Sequence, residues 1–202
     1  MIALFHGGSE YFPLPTPRQR EFARFLVEAG AHAVVCHHSH VTGPLEWYHG
    51  CPIAYGLGNL LFPDKTAEHG PEWFKGYVLV LDADTSGITG ARLVGTRFDP
   101  AISSLRLLDE GEYAESVARL SSLQDALGDA DGSRRMWMDH VKKERPHYLS
   151  TVLGLSRVER ALLRITAWSS WRMPRGRVPA LLNVVRCESH HEAIVALLEE
   201  EL

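Results

Sequence analysis

Ala33-Val34-Val35-Cys36-His37-His38-Ser39-His40 is an apolar run of strand length that passes without interruption into imidazoles. Its length and paired valines suit a buried β-strand better than a helix, which needs ten or more residues. A second run of the same kind, Ile2-Ala3-Leu4-Phe5, ends in His6-Gly7-Gly8. Between the two lies a helix-start signal. Thr16-Pro17-Arg18-Gln19 joins a capping hydroxyl, proline at the first helical position and glutamine three residues after the cap. Phe22, Phe25, Leu26 and Ala29 recur at helical spacing, and Gly30 supplies a left-handed stop. Strand, helix, strand predicts a parallel βαβ crossover. In such sheets ligands bind beyond the carboxyl ends of the strands, so both histidine-bearing ends are delivered to one edge.

Working outward, Pro52-Ile53-Ala54-Tyr55 reads as a third short strand closed by Gly56-Leu57-Gly58-Asn59. Gly76 to Asp82 and Ile88 to Phe98 are longer β-rich runs, and Asp84-Thr85-Ser86-Gly87 between them predicts a hairpin. After Pro100 the pattern turns helical, over Tyr113 to Leu127, Arg134 to Glu144, Arg157 to Trp171 and His190 to Leu202. Gly128 to Gly132 and Pro174 to Pro179 read as connections. The expected organisation is an α/β part over residues 1–100 and a helical extension over 101–202.

The 202 residues carry a formal net charge of −4 with a pI near 6.2, so no basic field gathers phosphate backbones and nucleic acid is not an expected partner. No apolar run approaches the roughly 20 residues of a membrane span, and the first residues lack the order of a signal peptide. Cys36, Cys51 and Cys187 form no Cys-x-x-Cys pair and read as reduced thiols. A central strand at residue 2 would need neighbours that the remaining strands are too few to supply, and the expectation is that the chain is a truncation of a longer protein.

The chemistry concentrates at the strand ends. Imidazole is a common neutral ligand for zinc, iron, nickel or copper, and three of them can form an open site. Alternation in an extended turn would aim His38 and His40 to one side, with His37 directed into the packing. His32, His49, His69, His140 and His147 show no such convergence and read as structural or surface residues. No Gly-x-Ser-x-Gly elbow occurs, and Ser39 between two histidines suits a ligand loop better than a nucleophile.

Three blocks, His6-Gly7-Gly8-Ser9-Glu10-Tyr11, Gly30 to Val41 and Pro52 to Phe62, resemble successive blocks of the bacterial capsule synthesis protein CapA family. That family is also called the poly-γ-glutamate biosynthesis family, within the calcineurin-like metallophosphatase superfamily. The resemblance implies a C-terminal portion of a metallophosphatase-like α/β domain followed by an α-helical appendage. It implies that His6, His38 and His40 are metal ligands, for manganese, iron or zinc, and that Glu10 and His38 are candidate catalytic residues. Glu10 would act as an acid or base, or orient a ring. Gly7 stands where the family usually has tryptophan, and Cys36 where it usually has glycine. The family's Gly-Asp and Asn-His blocks have no counterpart here, so the implied two-metal site is incomplete in this chain.

Two functions follow as expectations. One is metal-dependent hydrolysis or transfer on a polymer or phosphoester-like substrate in capsule or poly-γ-glutamate production. The other is a truncated or degenerate relative acting as a non-catalytic protein partner in the capsule machinery, with Trp137, Trp168 and Trp171 as candidate anchors.

Overall fold

A computed structural model describes residues 1–62, 70–85 and 87–152, together with 178, 179 and 182. The chain divides into two compact units, residues 1–143 and 144–202. The change of composition after Pro100 lies inside the first unit, because Leu123 and Leu127 from the following helix join the main core. Of the second unit, the described part is the end of one helix to Val152 and residues 178, 179 and 182.

The predicted crossover is present. Strands β1 (Ile2–His6) and β2 (Ala33–His37) pair in parallel, with Ile2 opposite Ala33 and His6 opposite His37. Helix α1 (Pro17–Glu28) connects them. Its start is the capping box read from the sequence: the Thr16 hydroxyl accepts from the Gln19 N–H at 3.1 Å, and Gln19 Oε1 accepts from the Thr16 N–H at 3.3 Å. Sequence reading missed β3 (Leu45–Tyr48), which folds back antiparallel on β4 (Cys51–Ala54) around His49 and Gly50. Leu-Glu-Trp-Tyr is too short for its alternation to announce it. A buried charge holds it instead: Glu46 accepts hydrogen bonds from Arg20, Arg24 and the Tyr55 hydroxyl. Strand β4 is parallel to β2, so the sheet order is β1-β2-β4-β3.

A second sheet, β5-β6-β7, is the predicted hairpin with one strand added. Strands β5 (Lys75–Asp84) and β6 (Gly87–Asp99) pair antiparallel with an irregularity between Asp82 and Ala83. Strand β7 (Ser104–Leu107) pairs with the far end of β6. Helices α2 (Glu110–Gly128) and α3 (Ala130–Val152) follow. Only Asp129 separates them, so Gly132 lies within α3 rather than in the expected connection. The expected helices over 157–171 and 190–202 lie outside the described residues, as do Trp168, Trp171 and Cys187.

The core of the first unit packs Ala23 and Val27 of α1 on Val34, Cys36 and Ile53 of the sheet, with Phe12, Leu14, Leu123 and Leu127 closing it. Trp137 packs against that core, its ring 5.2 Å from Phe12, which is a structural role rather than that of a free anchor. Among the described residues strand β1 lies at the edge of its sheet, and its Ile2 and Leu4 are 51% and 81% exposed. Cys36 and Cys51 are free thiols, and burial pushes the Cys36 thiol up to about 11. Among the described residues no helix is long and apolar enough to cross a membrane.

Candidate metal centre

The parallel register sets the site. Because His6 lies opposite His37 at the carboxyl ends of β1 and β2, the chain leaves both strands at the same edge of the sheet. The Gly7 N–H donates to the His37 carbonyl at 2.9 Å, continuing the ladder by one step. Beyond it, Gly8 has φ +123°, and a Cβ there would lie 2.7 Å from Gln19 Oε1, so the turn toward Glu10 needs a glycine. Gln19 secures the turn by donating from Nε2 to the Gly7 carbonyl at 3.3 Å. The Tyr11 N–H then donates to the Ser39 carbonyl at 2.8 Å, which brings Glu10 up to the residue between the two histidines.

His38 and His40 do converge, but not through an extended turn. Their φ values are +118° and +58°, both in the left-handed half of the map that non-glycine residues seldom occupy. Two such residues within one turn are a concentrated cost, of a kind that clusters at functional sites. The result is a group of three: ligand atoms of Glu10, His38 and His40 all lie within 4.8 Å of one another, with Glu10 exposed and the two histidines half-buried. Tetrahedral ligands at zinc-like bond lengths of 2.0–2.1 Å stand about 3.4 Å apart. The donor set fits a divalent cation once the side chains draw together by about an ångström.

His6 stands beside this group rather than in it. Its Nε2 is 3.2 Å from His38 Nδ1, a hydrogen bond in which one ring donates to the other. His37 turns away as expected and its Nε2 donates to the Gly58 carbonyl at 2.9 Å; burial is the main cause that lowers its pKa. Two other described histidines take structural positions. His140 contacts Ser9 Oγ at 3.0 Å and packs on Phe12, while His49 stacks on Tyr48.

Three further residues complete the site, of which sequence reading placed Asn59 near it and gave Trp73 and Phe62 no role. Buried Asn59 places Oδ1 2.8 Å from His40 Nδ1. Trp73 lies 4% exposed with its ring 5.0 Å from that of His40, and Phe62 stands 5.0 Å from both rings to within 0.1 Å. The Gly-Leu-Gly-Asn block is the signal that points to Asn59, since it brings the backbone close to its neighbours. Gly58 has φ +67°, and a Cβ there would meet the Lys75 carbonyl oxygen at 2.5 Å. Nothing near Trp73 marks it in the sequence, because its approach depends on how the second sheet meets the first.

With this geometry in view, residues 1–64 match the family described as bacterial capsule synthesis protein PGA_cap. The chain is 49% identical over 62 residues to the PGA biosynthesis protein CapA of Bacillus subtilis, covering 31% of this chain and 16% of that protein. Residues 1–64 are thus similar to the bacterial capsule synthesis protein family. Other similar proteins are the capsule biosynthesis protein CapA of Bacillus anthracis, 44% identical over 57 residues, covering 28% of this chain and 14% of that protein. A probable polyglutamine synthesis accessory protein of Mycobacterium tuberculosis is 31% identical over 107 residues, 52% of this chain and 28% of its own length. The chain thus spans less than a third of the length of these relatives.

The family segment contains His6, Glu10, His38, His40 and Asn59, whereas Trp73 lies beyond it. The mixed α/β architecture is consistent with part of the metallophosphatase-like fold that the resemblance implied. Gly7, where the family usually has tryptophan, is covered here by Phe5: a Cβ at position 7 would meet the Phe5 ring at 2.7 Å. Cys36, where the family usually has glycine, is wholly buried beneath α1.

Proposed function

We propose that this chain carries the histidine-rich face of a metal-dependent protein of capsule or poly-γ-glutamate biosynthesis. The observation that carries the reading is the convergence of Glu10, His38 and His40 beyond two parallel strands, held by left-handed backbone at both histidines. Its place in polymer production is supported by the family segment and by the names of the Bacillus proteins. Glu10, His38 and His40 would hold a divalent ion, manganese, iron or zinc, with His6 bonded to His38 from the side. When bound, such an ion supplies Lewis acidity toward a phosphoryl or acyl oxygen. This chain's residues contribute the binding and orientation: Asn59 and Trp73 fix the His40 ring, and Glu10 is exposed, where a polymer or phosphoester-like substrate would reach it.

The outer face of β1 bears on completeness. Ile2 and Leu4 are exposed beside His6 on an edge strand, and we propose that further polypeptide joins there to bring the remaining ligands of the site. The test is metal content and titration calorimetry on the full chain with manganese and zinc, followed by turnover of a chromogenic phosphodiester. The expected result is about one ion per chain, lost in His38→Ala and His40→Ala. A chain that binds neither metal and hydrolyses nothing would overturn the reading.

A further inference from the structure

We propose that Asn59 is a positioning residue that sets the tautomer of His40 and so keeps one particular ring nitrogen, Nε2, available to a cation. The inference rests on reading Glu10, His38 and His40 as a cation site. It begins from an assignment problem, since the two ends of an amide side chain are told apart by their partners. Asn59 Nδ2 lies 2.9 Å from the Trp73 carbonyl oxygen and 3.4 Å from the His40 carbonyl oxygen. Carbonyl oxygens only accept, so the end of the amide facing them is the nitrogen, and both of its hydrogens are engaged. Oδ1 therefore faces the ring, 2.8 Å from His40 Nδ1. An amide oxygen cannot donate, so His40 Nδ1 carries the proton. A neutral imidazole has one N–H, and Nε2 is left with a bare lone pair.

The amide can impose this because it is itself immobile. Asn59 is 3% exposed, and its backbone N–H donates to the Lys75 carbonyl at 3.3 Å, tying it to the start of β5. The ring it controls is packed against Trp73 and Phe62 at 5.0 Å, which helps keep Nδ1 turned toward the amide. Outer partners of this kind fix ring orientation and ligand identity at metal sites.

The experiment compares two variants of the full chain. Asn59→Asp retains an oxygen acceptor toward His40 Nδ1 but loses both donations to the carbonyls; Asn59→Leu loses all three bonds. The tautomer of His40 is read from imidazole nitrogen NMR on metal-free protein, with His40→Gln assigning the signal. Zinc affinity is read by calorimetry. The expected result is an Nδ1–H tautomer in wild type and in Asn59→Asp, with affinity within about threefold. Asn59→Leu should lose the fixed tautomer and bind roughly ten- to a hundredfold more weakly. An Nε2–H tautomer in wild type overturns the proposal, even if Asn59→Leu fails to fold. So does equal weakening in the two variants, because a residue that merely ties the loop through its donors is damaged alike by both. Wild-type protein that binds no zinc counts against the cation site, and the tautomer measurement then decides the role of Asn59 separately.

Discussion

Replacing His38 and His40 by glycine and, in parallel, by alanine isolates the backbone cost of the site from its side-chain chemistry. Both substitutions delete the imidazole, so the difference between them reports only what a Cβ costs at that φ. In ordinary extended or helical backbone alanine is the more stable of the pair by about 0.5–1 kcal/mol, because glycine loses more chain entropy on folding. At φ +118° and +58° a Cβ is strained by about 1–2 kcal/mol, which reverses the order. Glycine should therefore be favoured by about 0.5–1 kcal/mol at each of the two positions, with His38 the larger because its φ lies farther from the left-handed helical minimum. Ser39 lies between them without a positive φ, and there alanine should keep its usual advantage. Urea unfolding of the six variants measures the pairs, and a thermal scan should show each difference as about 1–4 °C. The same order of alanine over glycine at all three positions would refute the claim that the histidine turn is strained.

Three other outcomes are expected. Glu46, 8% exposed, is pushed up by burial and pulled down further by Arg24, Tyr55 and Arg20, leaving its carboxyl at about 2 against an ordinary 4.5. A depressed folded-state value means that the stabilisation is complete above about pH 5 and is lost as pH falls through 4.5 toward 2. Between pH 6 and pH 3 wild type should lose about 2 kcal/mol more than Glu46→Gln in urea unfolding, and parallel profiles would contradict this. Gly58→Ala, whose Cβ would meet the Lys75 carbonyl at 2.5 Å, should lower stability by about 2 kcal/mol or more by differential scanning fluorimetry, whereas Gly128→Ala, with open space around it, should be neutral or stabilising. In calorimetric titrations with zinc, Glu10→Gln and His38→Ala should each weaken binding at least about tenfold, and His6→Ala by less, because His6 reaches the group only through His38. A larger loss for His6→Ala than for Glu10→Gln would place the ion elsewhere.

Much of this protein is determined locally and is legible in its residues. The capping box at Thr16 and Gln19 acts over three positions, and the valine-rich run before His37 needs no distant information to read as a strand. Parallel pairing of the two strands then dictates that His6 and the His37–His40 turn leave the sheet at one edge. The three family blocks are contiguous segments for the same reason: each is one strand end and its turn. Strands β3 and β7 were missed because four residues are too few for alternation to identify a strand, and each exists by pairing with a neighbour already in place.

What only the tertiary structure decided is how the site is filled. The sequence named His6, His38 and His40 as equals. The fold places Glu10 with His38 and His40 and sets His6 behind His38, because the Tyr11–Ser39 hydrogen bond draws the first loop across the second. Positive φ at both histidines, rather than extended alternation, turns their rings together. Asn59 and Trp73 reach His40 from 19 and 33 residues away only because the Gly58 turn lies against the start of the second sheet. Ligand identity follows from residue type, which a sequence carries. Ligand geometry follows from where separate segments meet, which depends on the packing of the whole unit.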